Sequence, residues 1–185
     1  MNKSISLSKF SQIGKLAPNF ITVAVYKGKI GKVRLSDYRG KKYVILLFYP
    51  ANFTRLANQE LILVNRFSKK FKKFSTQLLA ISTDSPFCHL NFVTNAEKQR
   101  LIAFLDYPLV SDLTHQIIND YCVLSKHGIS FPSLFIIDKQ GVIQYYSVNN
   151  LLCIRNINEI LRILRSIQII TENPIKVKFS RRRRY

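Results

Sequence analysis

The apolar residues of this chain change their spacing several times, and each change predicts an element. Across residues 20–35 apolar and polar positions alternate through Val23, Val25 and Tyr26, with a turn at Lys27-Gly28-Lys29. A period of two around a glycine predicts an N-terminal hairpin. Residues 43–49 (YVILLFY) are continuously apolar and stop at Pro50, the pattern of a central strand covered on both faces. Between residues 58 and 74 the period lengthens. Leu61, Val64, Phe67, Phe71 and Phe74 recur at three and four with lysines opposite, which predicts one amphipathic helix. Residues 77–82 form a second buried strand. The stretch Ser82-Thr83-Asp84-Ser85-Pro86 then offers cap residues and a first-turn proline for a helix reaching about Lys98.

The second half continues the alternation. Residues 108–111 read as a short strand and 112–121 as a short helix with Asp112 as its cap. Residues 134–138 (LFIID) are another buried strand, joined by Lys139-Gln140-Gly141 to an antiparallel strand over 142–148. A terminal helix over 157–169 carries its stripe at Ile157, Ile160, Leu161 and Leu164. The order predicts an α/β protein: a mixed central sheet flanked by helices, of the thioredoxin-like type with the added N-terminal hairpin.

A length of 185 residues with 47% hydrophobic residues, 6 Gly and 6 Pro gives one globular domain and excludes a disordered or collagen-like chain. No apolar run approaches the roughly 20 residues that span a bilayer, so a membrane role is not expected. The division is a leader at 1–12, the domain at 13–170 and a basic tail at 171–185. The leader has no long apolar region and no small-residue cleavage site, which disfavours secretion. A net charge of +19, with Arg181 to Arg184 consecutive near the end, favours anionic neighbours but says nothing about fold. Two explanations stand side by side: a selected polyanion-binding role, or the Lys, Asn, Ile, Phe and Tyr bias of an AT-rich genome. The Lys69-Lys70-Phe71-Lys72-Lys73 run reads as the solvated face of a helix.

Cys88, Cys122 and Cys153 are three widely spaced thiols with no CxxC pair. They predict neither a disulfide framework nor a zinc site, and each reads as a small buried hydrophobe. His89, His115 and His127 lack metal-ligand spacing and read as surface or capping residues without a role. No cofactor is implied.

Several blocks in sequence order carry a resemblance: Phe48-Tyr49-Pro50-Ala51-Asn52-Phe53-Thr54, Ile81-Ser82-Thr83-Asp84-Ser85, Pro108-Leu109-Val110-Ser111-Asp112 and Leu134-Phe135-Ile136-Ile137-Asp138. Over residues 13–168 the chain resembles the typical two-cysteine peroxiredoxins, particularly their cyanobacterial and plastid-encoded members. That resemblance implies thioredoxin-dependent hydroperoxide reduction, an antioxidant activity, and a plastid location.

The family's peroxidatic cysteine sits in a Pro-x-x-x-Thr-x-x-Cys loop opening the first long helix. There the chemistry needs a thiolate, positive potential and donors that align the peroxide. By this resemblance Pro50 and Thr54 hold the family's Pro and Thr, and Ala57 stands at the cysteine position. Asn58 and Gln59 replace the following Pro and Thr, and Glu60 keeps the acidic residue. Pro132 replaces the active-site arginine, and Arg155 matches a second arginine expected to pair with Glu60. The region after the last helix has no resolving cysteine, so no intact catalytic set is expected and thioredoxin has no disulfide to reduce. A Pro132 before the strand also predicts a cis Phe131–Pro132 bond, as in thioredoxin-like folds lacking that arginine; a trans proline opening the strand is the alternative.

Three functional expectations follow. The first is a degenerate family member acting through binding or assembly, either as a homodimer through strand 142–148 or with a catalytic peroxiredoxin. The second is a thiol peroxidase using a non-standard or edited-in cysteine. The third is weak, nonspecific polyanion binding.

Overall fold

The computed structural model describes residues 11–98 and 105–172; the expected leader lies almost wholly outside them, as does the tail beyond Glu172. The N-terminal hairpin is β1 (Ile21–Tyr26) and β2 (Lys29–Arg34). Its two-residue loop has positive φ at both Lys27 (49°) and Gly28 (69°), the mirror-image turn whose twist matches paired strands. A single 3-10 turn, Leu35–Tyr38, leads to β3 (Tyr43–Phe48), all six residues of which are buried.

After β3 come α1 (Arg55–Arg66) and α2 (Ser68–Lys73), then β4 (Thr76–Ser82) and α3 (Pro86–Lys98). The single helix expected over 58–74 is therefore two. Phe67, at φ −98° and ψ 0°, leaves helical geometry. The break lets Ser68 turn inward, where its hydroxyl donates to Asp106 at 3.2 Å, while Phe71 packs into the core.

β5 (Leu109–Ser111) and α4 (Gln116–Asp120) follow. α4 is shorter than expected, and Asp112 acts on it from a distance in sequence. Its carboxylate accepts from the backbone N–H groups of Ile117 (3.1 Å) and Ile118 (2.8 Å), while His115 occupies the capping position. β6 (Ser133–Ile137), β7 (Ile143–Val148) and α5 (Ile157–Glu172) are the last of the described elements.

Among the described residues, seven strands lie in the order β2-β1-β5-β4-β3-β6-β7. β4 runs parallel to β3 and to β5, and the other pairings are antiparallel. Alternate residues of β3 serve two cores. Ile45 and Leu47 pack with α1, α2, α3 and α5, while Val44, Leu46 and Phe48 pack with α4 and the N-terminal segment. A continuous apolar run is what a strand buried on both faces requires. The result is the thioredoxin-like α/β fold that the element order predicts, with β2 and β7 as its edges.

Candidate active-site pocket

The chain leaves β3 at its carboxyl end and reaches α1 through residues 49–54, beside the turn that follows the parallel strand β4. Asp84 in that turn holds the loop: its Oδ2 accepts from the Asn52 backbone N–H and from the Ser82 hydroxyl, both at 2.7 Å. Phe53 adopts φ +61°, a conformation that costs energy in a residue with a Cβ. Its ring packs edge-on against Phe92 at 5.5 Å. Thr54 then caps α1; its hydroxyl donates to the Ala51 carbonyl at 3.1 Å and accepts from the Ala57 N–H at 3.4 Å. Thr54 is thus a cap as well as a pocket residue.

Ala57 lies in the first turn of α1 and is only 3% exposed. One turn further, Glu60 is buried against Arg155, which enters from the segment preceding α5. Arg155 Nε donates to Oε1 at 2.6 Å, Nη2 to Oε2 at 2.7 Å and the backbone N–H to Oε1 at 3.2 Å; Nη1 reaches the Ser133 carbonyl. This bidentate pair spans α1, β6 and the start of α5, the contact expected between these two residues.

Pro132 is buried at the start of β6, but no peptide bond among the described residues is cis. The Phe131–Pro132 bond is trans, which corrects the cis expectation. The backbone explains it: Phe131 N–H donates to the Val123 carbonyl at 2.8 Å, and the Pro132 carbonyl accepts from Asn149 N–H at 2.9 Å. Trans Pro132 therefore continues directly into the β6–β7 ladder.

These elements enclose a cavity of about 310 Å³, lined mainly by apolar groups. Pro50, Thr54, Ala57, Glu60 and Pro132 all contribute to its wall, so five positions read from two separate segments, 50–60 and the approach to β6, converge. Arg155 holds one of those walls through Glu60. Cys153 also lines this cavity, a convergence that the sequence did not disclose. It is exposed, as is Cys122, and Cys88 is half-buried. The three thiols are not buried hydrophobes, which corrects their reading from composition. All three are free.

Cys88 has a different setting. Its Sγ lies 3.4 Å from Asp84 Oδ1 and 3.6 Å from Asn52 Nδ2. Burial pushes its thiol up, and the adjacent carboxylate adds to the rise against the opposing Asn52 contact. A thiol held protonated is a poor nucleophile. It behaves as part of the loop's anchor.

His89 is also reassigned. It is fully buried rather than a surface residue. Asn52 Nδ2, a donor only, reaches its Nδ1 at 2.8 Å, so Nδ1 accepts and Nε2–H donates to the Val110 carbonyl at 3.3 Å. Tyr49 O–H donates to Asn52 Oδ1 at 2.9 Å. The network thus requires neutral His89, and burial lowers its pKa from 6.5, partly opposed by Asp84 and the Val110 contact. Because the folded value is depressed, this histidine costs no stability above about pH 6.5. As pH falls below that value, the unfolded chain takes the proton first and stability declines. Urea unfolding of wild type and His89→Asn between pH 7.5 and about 5 checks the sign. Wild type loses stability more steeply; equal slopes would remove the neutral-histidine assignment.

No group of three or more His, Cys, Asp or Glu among the described residues is arranged to hold a metal ion. No described helix is long and apolar enough to cross a membrane.

The sheet order and the helical layers, with a pocket at the mouth of α1, define a thioredoxin-like α/β scaffold. The AhpC/TSA family model matches residues 13–146, and the chain belongs to that family of peroxiredoxins. It is 60% identical over 168 residues to ycf42 of Trieres chinensis, which bears the peroxiredoxin name; the match covers 91% of this chain and 82% of that protein. It is 44% identical over 166 residues to the chloroplastic 2-cysteine peroxiredoxin of Chattonella marina var. antiqua, covering 90% and 85%. The reduced 2-Cys peroxiredoxin of Plasmodium vivax superposes with a TM-score of 0.83 at 35% identity, covering 92% of each chain.

Proposed function

We propose that this chain is a peroxiredoxin-family protein that has lost the family's catalysis and acts through binding or assembly. The observation that carries this reading is the alanine methyl of Ala57 in the wall of the pocket, beside Pro50 and Thr54 and backed by the Glu60–Arg155 pair. A methyl group cannot ionise or attack an O–O bond, and the Thr54 hydroxyl is engaged in capping α1. Pro132 adds a second deficit, since a proline ring supplies no positive charge to a peroxide. The buried ion pair that holds the scaffold remains.

Assembly has a candidate surface. β7 is a sheet edge: residues 14 and 15 hydrogen-bond to its first residue, Ile143, and beyond that no described strand other than β6 lies beside it, so its remaining outer edge presents backbone groups to a second strand. The partner is a second copy of this chain or a catalytic peroxiredoxin, and the names of the chloroplastic relatives support a plastid location. Native mass spectrometry at micromolar concentrations tests the assembly. A homodimer, or a heterodimer with an added two-cysteine peroxiredoxin, is expected; monomer alone in both samples contradicts it.

A second reading keeps the enzyme. Cys153 is exposed and shares the pocket with Thr54, so a sulfur displaced from the head of α1 could face the same substrate. Peroxide treatment followed by sulfenic-acid trapping separates the readings. Selective trapping at Cys153 over Cys122, which is also exposed, supports the enzyme, and equal modification of both supports the scaffold.

A further inference from the structure

The fold commits much of its acidic complement to internal tasks. Asp84, Asp112 and Asp138 accept backbone hydrogen bonds, and Glu60 is paired with Arg155. The cations on the α2 face are not so committed. Ser68 and Phe71 turn inward, and Lys69, Lys70, Lys72 and Lys73 are exposed. Only Lys72 has an ion-pair partner among the described residues, Asp106 at 3.3 Å.

Packing extends the same surface onto α5. Gln168 Nε2 donates to the Phe74 carbonyl at 2.6 Å, fixing α5 against the end of α2. The exposed Arg165 guanidinium lies 5.7 Å from the Phe74 ring centre, and Lys70 Nζ lies 4.9 Å from that of Phe67. Such cation–aromatic contacts restrain long side chains that would otherwise sample many rotamers. The charges are therefore displayed from packed elements rather than from a loop.

We infer that the face carrying Lys69, Lys70, Lys73 and Arg165 binds the phosphate backbone of nucleic acid without reading its sequence. Charge complementarity is the argument: clustered cations replace the counterions condensed on a polyphosphate and release them. A bilayer fits this face less well. The outward residues of α2 are all lysines, with Phe67 and Phe74 half-buried and Phe71 buried, whereas a helix seated in a membrane interface presents an apolar side to insert. This inference is independent of the chemistry at Ala57.

Fluorescence anisotropy of the full chain on a short labelled duplex DNA tests it, over a series of salt concentrations. Two variants are compared with wild type: Lys69→Gln/Lys70→Gln/Lys73→Gln on the folded face, and Arg181→Gln through Arg184→Gln in the tail. The three lysine changes should flatten the slope of log affinity against log salt by about 2.7, at about 0.9 per phosphate contact. They touch exposed side chains, and circular dichroism of each variant checks that the fold is kept. An unchanged slope in the lysine variant, with all loss confined to the tail variant, overturns the assignment of this face. Absence of duplex binding at low salt, or retention on phosphatidylserine vesicles without duplex binding, overturns nucleic acid as the partner.

Discussion

Replacing Arg155 by Met should destabilise the protein by about 3–5 kcal/mol, because it strands the Glu60 carboxylate in the interior. Both side chains are almost completely buried, at 5% and 6% exposure, so removing one leaves the other charge in a poorly solvated position without its partner. The same substitution also removes the donor to the Ser133 carbonyl. Against the roughly 5–15 kcal/mol of a typical domain, such a loss is large. Glu60→Gln should also be costly, since it leaves the guanidinium buried without a counter-charge. Replacing both residues by Met should recover much of the loss, because an apolar pair of similar volume avoids desolvating two ions. Urea denaturation of the two single variants and the double variant measures the coupling. A loss below about 1 kcal/mol for Arg155→Met would place the pair among weak surface contacts and contradict its buried, bidentate geometry.

The second large effect is a gain of activity. Ala57 borders a cavity of about 310 Å³, so Ala57→Cys adds a sulfur where there is room for it. The first turn of α1 would favour its thiolate through the unpaired N–H groups at the helix end. A cysteine there should react with hydrogen peroxide. Arg55 also lines the cavity, but the arginine that the family resemblance places at position 132 is replaced by a proline. Adding Pro132→Arg to Ala57→Cys should raise the peroxide rate by a further order of about 10²-fold, the scale of one well-placed donor to developing negative charge. Stopped-flow measurement of peroxide loss orders the three proteins: wild type lowest, the single variant intermediate and the double variant highest. Equal rates for the single variant and wild type would mean that the pocket no longer supports the family's chemistry even with its sulfur restored.

The strands were the most legible part of the sequence because their periods are local. The YVILLFY run and LFIID became the adjacent strands β3 and β6, and the Lys27-Gly28 turn formed the hairpin. Helix breaks were less legible. Phe67 continues the apolar stripe whether or not the backbone bends there, so spacing alone gave one helix where two exist.

Side-chain placement was legible only where a motif linked distant segments. Pro50, Thr54, Ala57, Glu60 and Pro132 were named from family-like blocks, and they meet around one cavity. His89 and Cys153 belong to no such pattern. The burial of His89 depends on Asn52, 37 residues earlier, and on the Val110 carbonyl, 21 later. Cys153 reaches the pocket because the segment before α5 returns to Glu60. The trans Pro132 bond has the same origin: an aromatic before proline raises the cis population locally, but bonds with Val123 and Asn149 set the backbone path.

Steady-state peroxide consumption by the purified, unaltered chain, with a thiol reductant supplied, addresses the loss of catalysis most directly. The expected rate equals that of the reductant alone and does not change in Cys153→Ser. Turnover proportional to protein concentration, abolished by Cys153→Ser, would show that the pocket has kept a working sulfur.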